Sequence, residues 1–217
     1  MKKNVLLIGG SKGIGLESVK LLHKNANVFV ASRSSDHLKE LNVKHLKFDV
    51  LQDDIRELDL PEKIHGLVYC PGSINLRPFK MLTYKNFEEE LQLNFLSLVK
   101  VVQGLLAHFK NAEQASLVFF SSVAVKLGMP FHTSIAASKG AIEGFAKALA
   151  AEYAPSFRVN VIAPSLTDTQ LSSKLLSSED KRAKMDARHP LKRVGKPEDI
   201  ANLVEFLLSE KSNWITG

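Results

Sequence analysis

Cysteine is almost absent from this chain: Cys70 is the only one among 217 residues. An internal disulfide is therefore excluded, and a reducing, cytoplasmic compartment is expected. Its setting, "LVYCPG", reads as the buried end of a strand and makes it a packing thiol rather than a nucleophile. No stretch approaches the ~20 consecutive apolar residues of a membrane span. The opening "MKKNVLLIGGSKGIG" has two lysines and a short apolar run, but glycines interrupt that run at once, so it reads as a first strand and not an export signal. The seven histidines include no HExxH pair, and one cysteine cannot make a thiolate cluster, so no metal site is expected. The G-x-S-x-G elbow of an acyl-transfer serine enzyme is missing from "FFSSVAV". Internal repeats and low-complexity segments are also lacking.

The charge is one-sided, with a formal net charge of +6. It is densest in "KRAKMDARHPLKRVGKPED", where no aromatic side chains interleave as they would in a nucleic-acid stacking platform. Nucleic-acid recognition is not expected. Attraction of an anionic cofactor or substrate accounts for the same charge.

What the chain does have is alternation. Apolar runs at 4–8, 27–32, 43–48, 65–70, 115–121 and 158–163 are separated by helical stretches near 14–24, 51–58, 86–109, 134–153 and 197–209. Strands that are apolar throughout are covered on both faces, which means a parallel sheet between two helical layers. The length suits one domain, and the right-handed crossover rule favours a doubly wound, Rossmann-type α/β fold with helices on both faces. Residues 165–193 have weaker sheet signals and many small polar residues. They read as a lid of one or two helices over the carboxyl ends of the strands, or as a plain surface excursion. The closing "NWITG" looks like the approach to a further strand, so the final strand is expected to be absent from this chain.

"LIGGSKGIGLES" follows the first strand and opens a helix, the context a phosphate-cradling loop requires. Gly9 permits the tight turn, Gly13 the close approach of backbone to a pyrophosphate, and Gly15 close packing of the helix. Ser11, Lys12 and Ile14 complete the loop, whose helix N-terminus offers free amides to an anion. The second strand ends in Ser32 and Arg33 rather than in a carboxylate. With Lys12 nearby, this favours the extra phosphate of NADP(H) over NAD(H).

Several ordered motifs make the chain resemble the short-chain dehydrogenase/reductase family over essentially its full length. They are "GGSKGIG" at 9–15, "FDV" at 48–50, "PG" at 71–72, "LNF" at 93–95, "SS" at 121–122, "ASK" at 137–139, "RVNVIAPSLTDT" at 158–169 and "HPLKRVGKPEDIANLVEFLLS" at 189–209. The resemblance implies that Asp49 and Val50 contact the adenine and that Gly72 flanks the adenosine ribose. Asn94 would hold a proton-relay water, Ser122 would orient the substrate oxygen, and Lys139 would bind the nicotinamide ribose and tune a proton donor. The stretch from Pro164 through Thr167 to Thr169 would pass the nicotinamide amide. The family's dimer uses helices corresponding to 86–109 and 134–153, which implies a homodimer or homotetramer.

One position departs from the pattern. The family's catalytic tyrosine stands four residues before the lysine, and here that position is Ile135; counting forward thirteen from Ser122 reaches the same residue. Isoleucine has no exchangeable proton, so the expectation is a member lacking that tyrosine. His132, on the loop leading into the same helix, is a candidate proton-transfer group because a histidine titrates near neutrality. Lys139 is another, if desolvation depresses its pKa. Two functions are carried forward: an NADP(H)-dependent oxidoreductase interconverting a small-molecule carbonyl and alcohol with atypical or impaired proton transfer, and a catalytically silent dinucleotide-binding structural or regulatory protein.

Overall fold

A computed structural model describes residues 2–217. Six parallel strands, β1 (Asn4–Ile8), β2 (Asn27–Ser32), β3 (Lys44–Lys47), β4 (Gly66–Tyr69), β5 (Ala115–Phe120) and β6 (Phe157–Ile162), form one sheet in the order β3-β2-β1-β4-β5-β6. The apolar runs of the sequence are these strands, to within a residue or two at their ends. Alternate side chains of each strand serve opposite layers. Leu6, Ile8, Leu117 and Phe119 join one core cluster, and Val5, Leu7, Val118 and Phe120 the other.

The helices are α1 (Gly13–Leu22), α2 (Tyr84–Leu91), α3 (Ser97–Asn111), the short α4 (Ala124–Leu127), α5 (Thr133–Tyr153), α6 (Glu179–Arg188) and α7 (Pro197–Leu208). Val19 and Leu22 of α1 pack with Val204, Leu207 and Leu208 of α7 on one side of the sheet. Leu98, Val101, Leu105 and Phe109 of α3 join Ile142, Ala146 and Leu149 of α5 on the other. This is the doubly wound arrangement expected from the alternation.

Two expectations need local correction. The helical stretch near 51–58 is only a 3₁₀ turn, Ile55–Glu57. Asp49 Oδ1 accepts from the Leu51 amide at 3.0 Å and Asp53 Oδ2 from the Asp49 amide at 2.7 Å, so side chains take amides that a helix would have used. The long helix near 86–109 is three pieces, because a π-helical segment, Gln92–Leu96, separates α2 from α3. "NWITG" does not form a strand among the described residues. Instead Gly217 N donates to Val159 O at 2.8 Å, and Arg158 and Asn160 both donate to Ile215 O at 3.0 Å, which holds the segment against β6.

The strand order reverses between β1 and β4. There the connections leave the carboxyl ends of neighbouring strands in opposite directions and open a crevice, the usual ligand position in such sheets.

Candidate active site

A cleft of about 950 Å³ occupies that crevice. Its floor is the loop from β1 into α1. Gly9 has φ +77° and Gly13 φ +54°, values that disfavour any side chain. A β-carbon at Gly15 would stand 2.7 Å from Gly9 O, so the loop closes on the helix only because that atom is missing. α1 has no side-chain cap and no acidic residue in its first turn, which leaves its amides free toward the cleft.

All the residues expected to hold a dinucleotide line this cleft. Gly9, Ser11, Lys12, Gly13, Ile14 and Gly15 come from the loop, Ser32 and Arg33 from the end of β2, and Asp49 and Val50 from the end of β3. Gly72 follows β4, and Pro164, Thr167 and Thr169 follow β6. Ser32 is less free than its position suggests: its hydroxyl donates to Ser34 O at 2.8 Å and lies 3.1 Å from His45 Nε2. Arg33 therefore supplies the charge at this end, with Lys12 opposite.

On the β5 side, Ser122, His132, Ile135 and Lys139 line the same cleft. Ser122 Oγ accepts from the Ala124 amide at 3.2 Å, which leaves its proton available. His132 Nδ1 donates to Pro130 O at 2.6 Å, so its other ring nitrogen is the free one. Lys139 is buried and donates to Phe120 O at 3.0 Å. Burial pulls its ammonium down to about 8, against an opposing pull from Glu90. Burial also pushes the Cys70 thiol up to about 12, which suits the inert packing role read from its neighbours.

Asn94 is the exception. It is fully buried and lies behind the cleft wall rather than on it. Its Nδ2 donates to Glu90 O at 2.9 Å, Glu90 Oε2 at 2.8 Å and Ser73 Oγ at 3.0 Å. The π-helical segment carries Asn94 at its centre. Three residues later α3 begins with Ser97, whose Oγ lies 2.6 Å from Tyr69 Oη. Glu90 and Ser73 escaped the sequence reading. A glutamate in "NFEEELQLN" looks like a solvated helix residue, yet Glu90 is the one buried residue of α2.

The stretch 165–193, expected as a lid or a plain surface excursion, forms a 3₁₀ segment, Gln170–Leu176, and α6. Leu171, Leu175, Met185 and His189 from it face the cleft. It is fastened by an Asp168–Arg182 ion pair, by Asp186 Oδ1 accepting from the Val194 amide at 2.6 Å, and by Ser165 Oγ at 2.9 Å from His189 Nε2. No group of histidine, cysteine and carboxylate side chains suited to a metal ion occurs among the described residues.

A family model described as enoyl-(acyl carrier protein) reductase matches residues 9–217. The chain belongs to the short-chain dehydrogenase/reductase family. It is 30% identical to the 3-oxoacyl-[acyl-carrier-protein] reductase of Chlamydia pneumoniae over 99% of this chain and 93% of that protein. A solved short-chain dehydrogenase family protein from Francisella tularensis superposes with a TM-score of 0.89 at 29% identity, covering 100% of this chain and 95% of that one. A tyrosine-to-phenylalanine variant of ElxO with NADPH bound gives 0.88 at 25% identity, covering 100% and 95%.

This assignment corrects one expectation. The sequence reading sets the chain apart from the family through Ile135, as a member lacking a tyrosine. The matches to reductases run the length of the chain and assign membership without that qualification. The Lys139 helix does contain a tyrosine: Tyr153 ends α5, its ring 4.7 Å from that of Phe157 and 5.4 Å from Lys110 Nζ. Ile135 is a buried residue of the first helical turns and an apolar part of the cleft wall. Membership rests on the fold and on motifs spread along the chain, which one side chain does not decide.

Proposed function

We propose that this protein is an NADP(H)-dependent oxidoreductase that interconverts a carbonyl and an alcohol on a small-molecule substrate. The observation that carries this reading is the joining, in one cleft, of an uncapped glycine-loop helix with a buried lysine and a free serine hydroxyl. The cleft fits the dinucleotide. The loop has room for phosphate only where β-carbons are missing, and Lys12 and Arg33 match a 2'-phosphate in charge. A relative that binds NADPH and another that reduces 3-oxoacyl groups support the same reading.

When bound, the dinucleotide supplies a hydride, and the oxygen of the reduced carbonyl must then take one proton. Ser122 is assigned to orient that oxygen with its free hydroxyl. The Lys139 ammonium is assigned to deliver the proton, its lowered pKa suiting transfer near neutrality. His132 is the neighbouring imidazole that can re-supply it. Ile135, Leu127 and Met129 wall this end with Leu171 and Leu175 of the lid, so the substrate carries an apolar body beside its carbonyl. No helix is long and apolar enough to cross a membrane. A homodimer through α2, α3 and α5, or a homotetramer, and a cytoplasmic setting complete the proposal.

The test is a titration with NADPH and NADH followed by turnover with a panel of ketones. NADPH should bind at least about tenfold more tightly than NADH, a difference of ~1.4 kcal/mol, and ketones should be reduced above background. Binding without turnover on any ketone would replace this reading with the silent dinucleotide-binding protein. Binding of neither dinucleotide would remove both.

A further inference from the structure

Carboxylates are rarely buried without a partner, yet Glu90 is only 5% exposed and has no lysine, arginine or histidine within ion-pair distance among the described residues. It is held by neutral donors instead. Ser73 Oγ donates to Oε2 at 2.5 Å and Asn94 Nδ2 donates to the same oxygen at 2.8 Å. Asn94 then reaches toward the cleft with its other amide atom. A β-carbon on Gly72 would meet Asn94 Oδ1 at 3.1 Å and Lys139 Nζ at 3.2 Å, so the two polar atoms converge on one point beside that glycine. A buried acid and an amide therefore lie in series behind the buried ammonium that lines the cleft.

We propose that Glu90 is a positioning residue whose buried negative charge, seated by Ser73 and Asn94, keeps Lys139 in its charged form at neutral pH. This rests on the reading of Lys139 as the proton donor, because a buried lysine without a counter-charge gives up its proton to the desolvation penalty and arrives at the substrate empty. The groups facing Lys139 from the packed elements make Glu90 the relevant one. From β4 comes Cys70, whose thiol is held neutral by burial. From its own helix, Glu143 is occupied by Ser121 Oγ at 2.7 Å, and His132 lies at the helix start with its Nδ1 on Pro130 O. From α2, Glu90 pulls the ammonium upward against its burial. The low-dielectric wall lets that charge act without direct contact.

The experiment is the pH dependence of acetylation at Lys139 by acetic anhydride, read by mass spectrometry on the whole protein without dinucleotide or substrate. Reactivity follows the unprotonated fraction of the amine. In Glu90→Gln, which keeps hydrogen-bonding capacity but not charge, the midpoint should fall by about one pH unit, tenfold in the protonation equilibrium. Glu90→Asp, which keeps the charge, should restore most of it. Glu90→Met needs no hydrogen-bond partners and serves in place of Glu90→Gln if that variant does not fold. A midpoint that stays at the wild-type value in a folded neutral variant overturns the proposal. The labelling reads Lys139 alone, so its outcome is separate from failure of the functional reading, which shows as absent NADPH binding or turnover in the wild type.

Discussion

The layer formed by α1 and α7 meets the sheet through Val19, Leu22, Val204 and Leu207, and its buried polar side chains are hydroxyls and one amide that donate to nearby carbonyls, among them Ser18 to Ile14 O, Ser116 to Leu207 O and Asn160 to Ile215 O. The opposite layer, of α2, α3 and α5, has an equally apolar base near Phe109 and Phe157 but buries Tyr69, Glu90, Asn94, Ser97 and Lys139 toward the carboxyl end of the strands. Both layers rest on one sheet, with alternate residues of the same strands. The difference is that one layer buries neutral groups closed on nearby carbonyls, while the other also places titratable groups where desolvation changes their chemistry. A change of pitch at Gln92–Leu96 accompanies this, as π-helical turns often do at functional sites.

Substitutions in the two layers should therefore separate activity from stability. The largest effect is expected from Lys139→Met: ketone reduction should fall by ~10²–10⁴-fold while NADPH-free protein becomes more stable at pH 7. Steady-state kinetics with thermal unfolding checks both, and equal losses in activity and stability would merge the two layers. Next, Leu207→Ala in the packing layer should lower stability by ~2–4 kcal/mol and leave kcat per folded molecule unchanged, as read by urea unfolding beside active-site titration. Tyr69→Phe, which removes the hydroxyl 2.6 Å from Ser97 Oγ, should cost ~1–2 kcal/mol and also lower kcat through the segment carrying Asn94. A stability loss with no kinetic effect would reduce that hydroxyl to packing.

The smallest effect is a pH dependence. The folded Lys139 ammonium sits at about 8 against an ordinary 10.5, so between these values the unfolded chain holds more protons and stability rises with pH. Below about 8 the cost of burying the charge is fully present. Cys70 acts in the other sense, because its folded value of about 12 lies above its ordinary 9 and stability falls as pH passes 9. From pH 8 to 9 the thiol contributes equally to both proteins, and wild type should gain about 1 kcal/mol relative to Lys139→Met through the lysine. A constant difference across that interval would place the ammonium in contact with solvent.

The glycine loop, the β2 end and the residues after β4 and β6 were legible because each depends on short-range geometry: a turn that needs a missing β-carbon, or a strand end that must carry or avoid charge. The cleft they form follows from strand order, which alternation and handedness constrain. Glu90, Ser73 and the 3₁₀ turn at Ile55–Glu57 were not legible. In sequence, Glu90 is one of three consecutive glutamates, and Asp49, Asp53 and Asp54 look compatible with a helix start. Whether such a side chain faces water or the interior depends on a shift of about one residue in helical phase, and competing hydrogen bonds set that shift.

By itself the sequence determined the sheet, its two coverings and the dinucleotide side of the cleft, because apolar periodicity and glycine sterics act within a few residues of each position. Only the tertiary structure decided which polar groups are desolvated together. Glu90, Asn94 and Lys139 come from separate helical turns, and their mutual influence exists only after the layer closes over them and removes the water that would screen it.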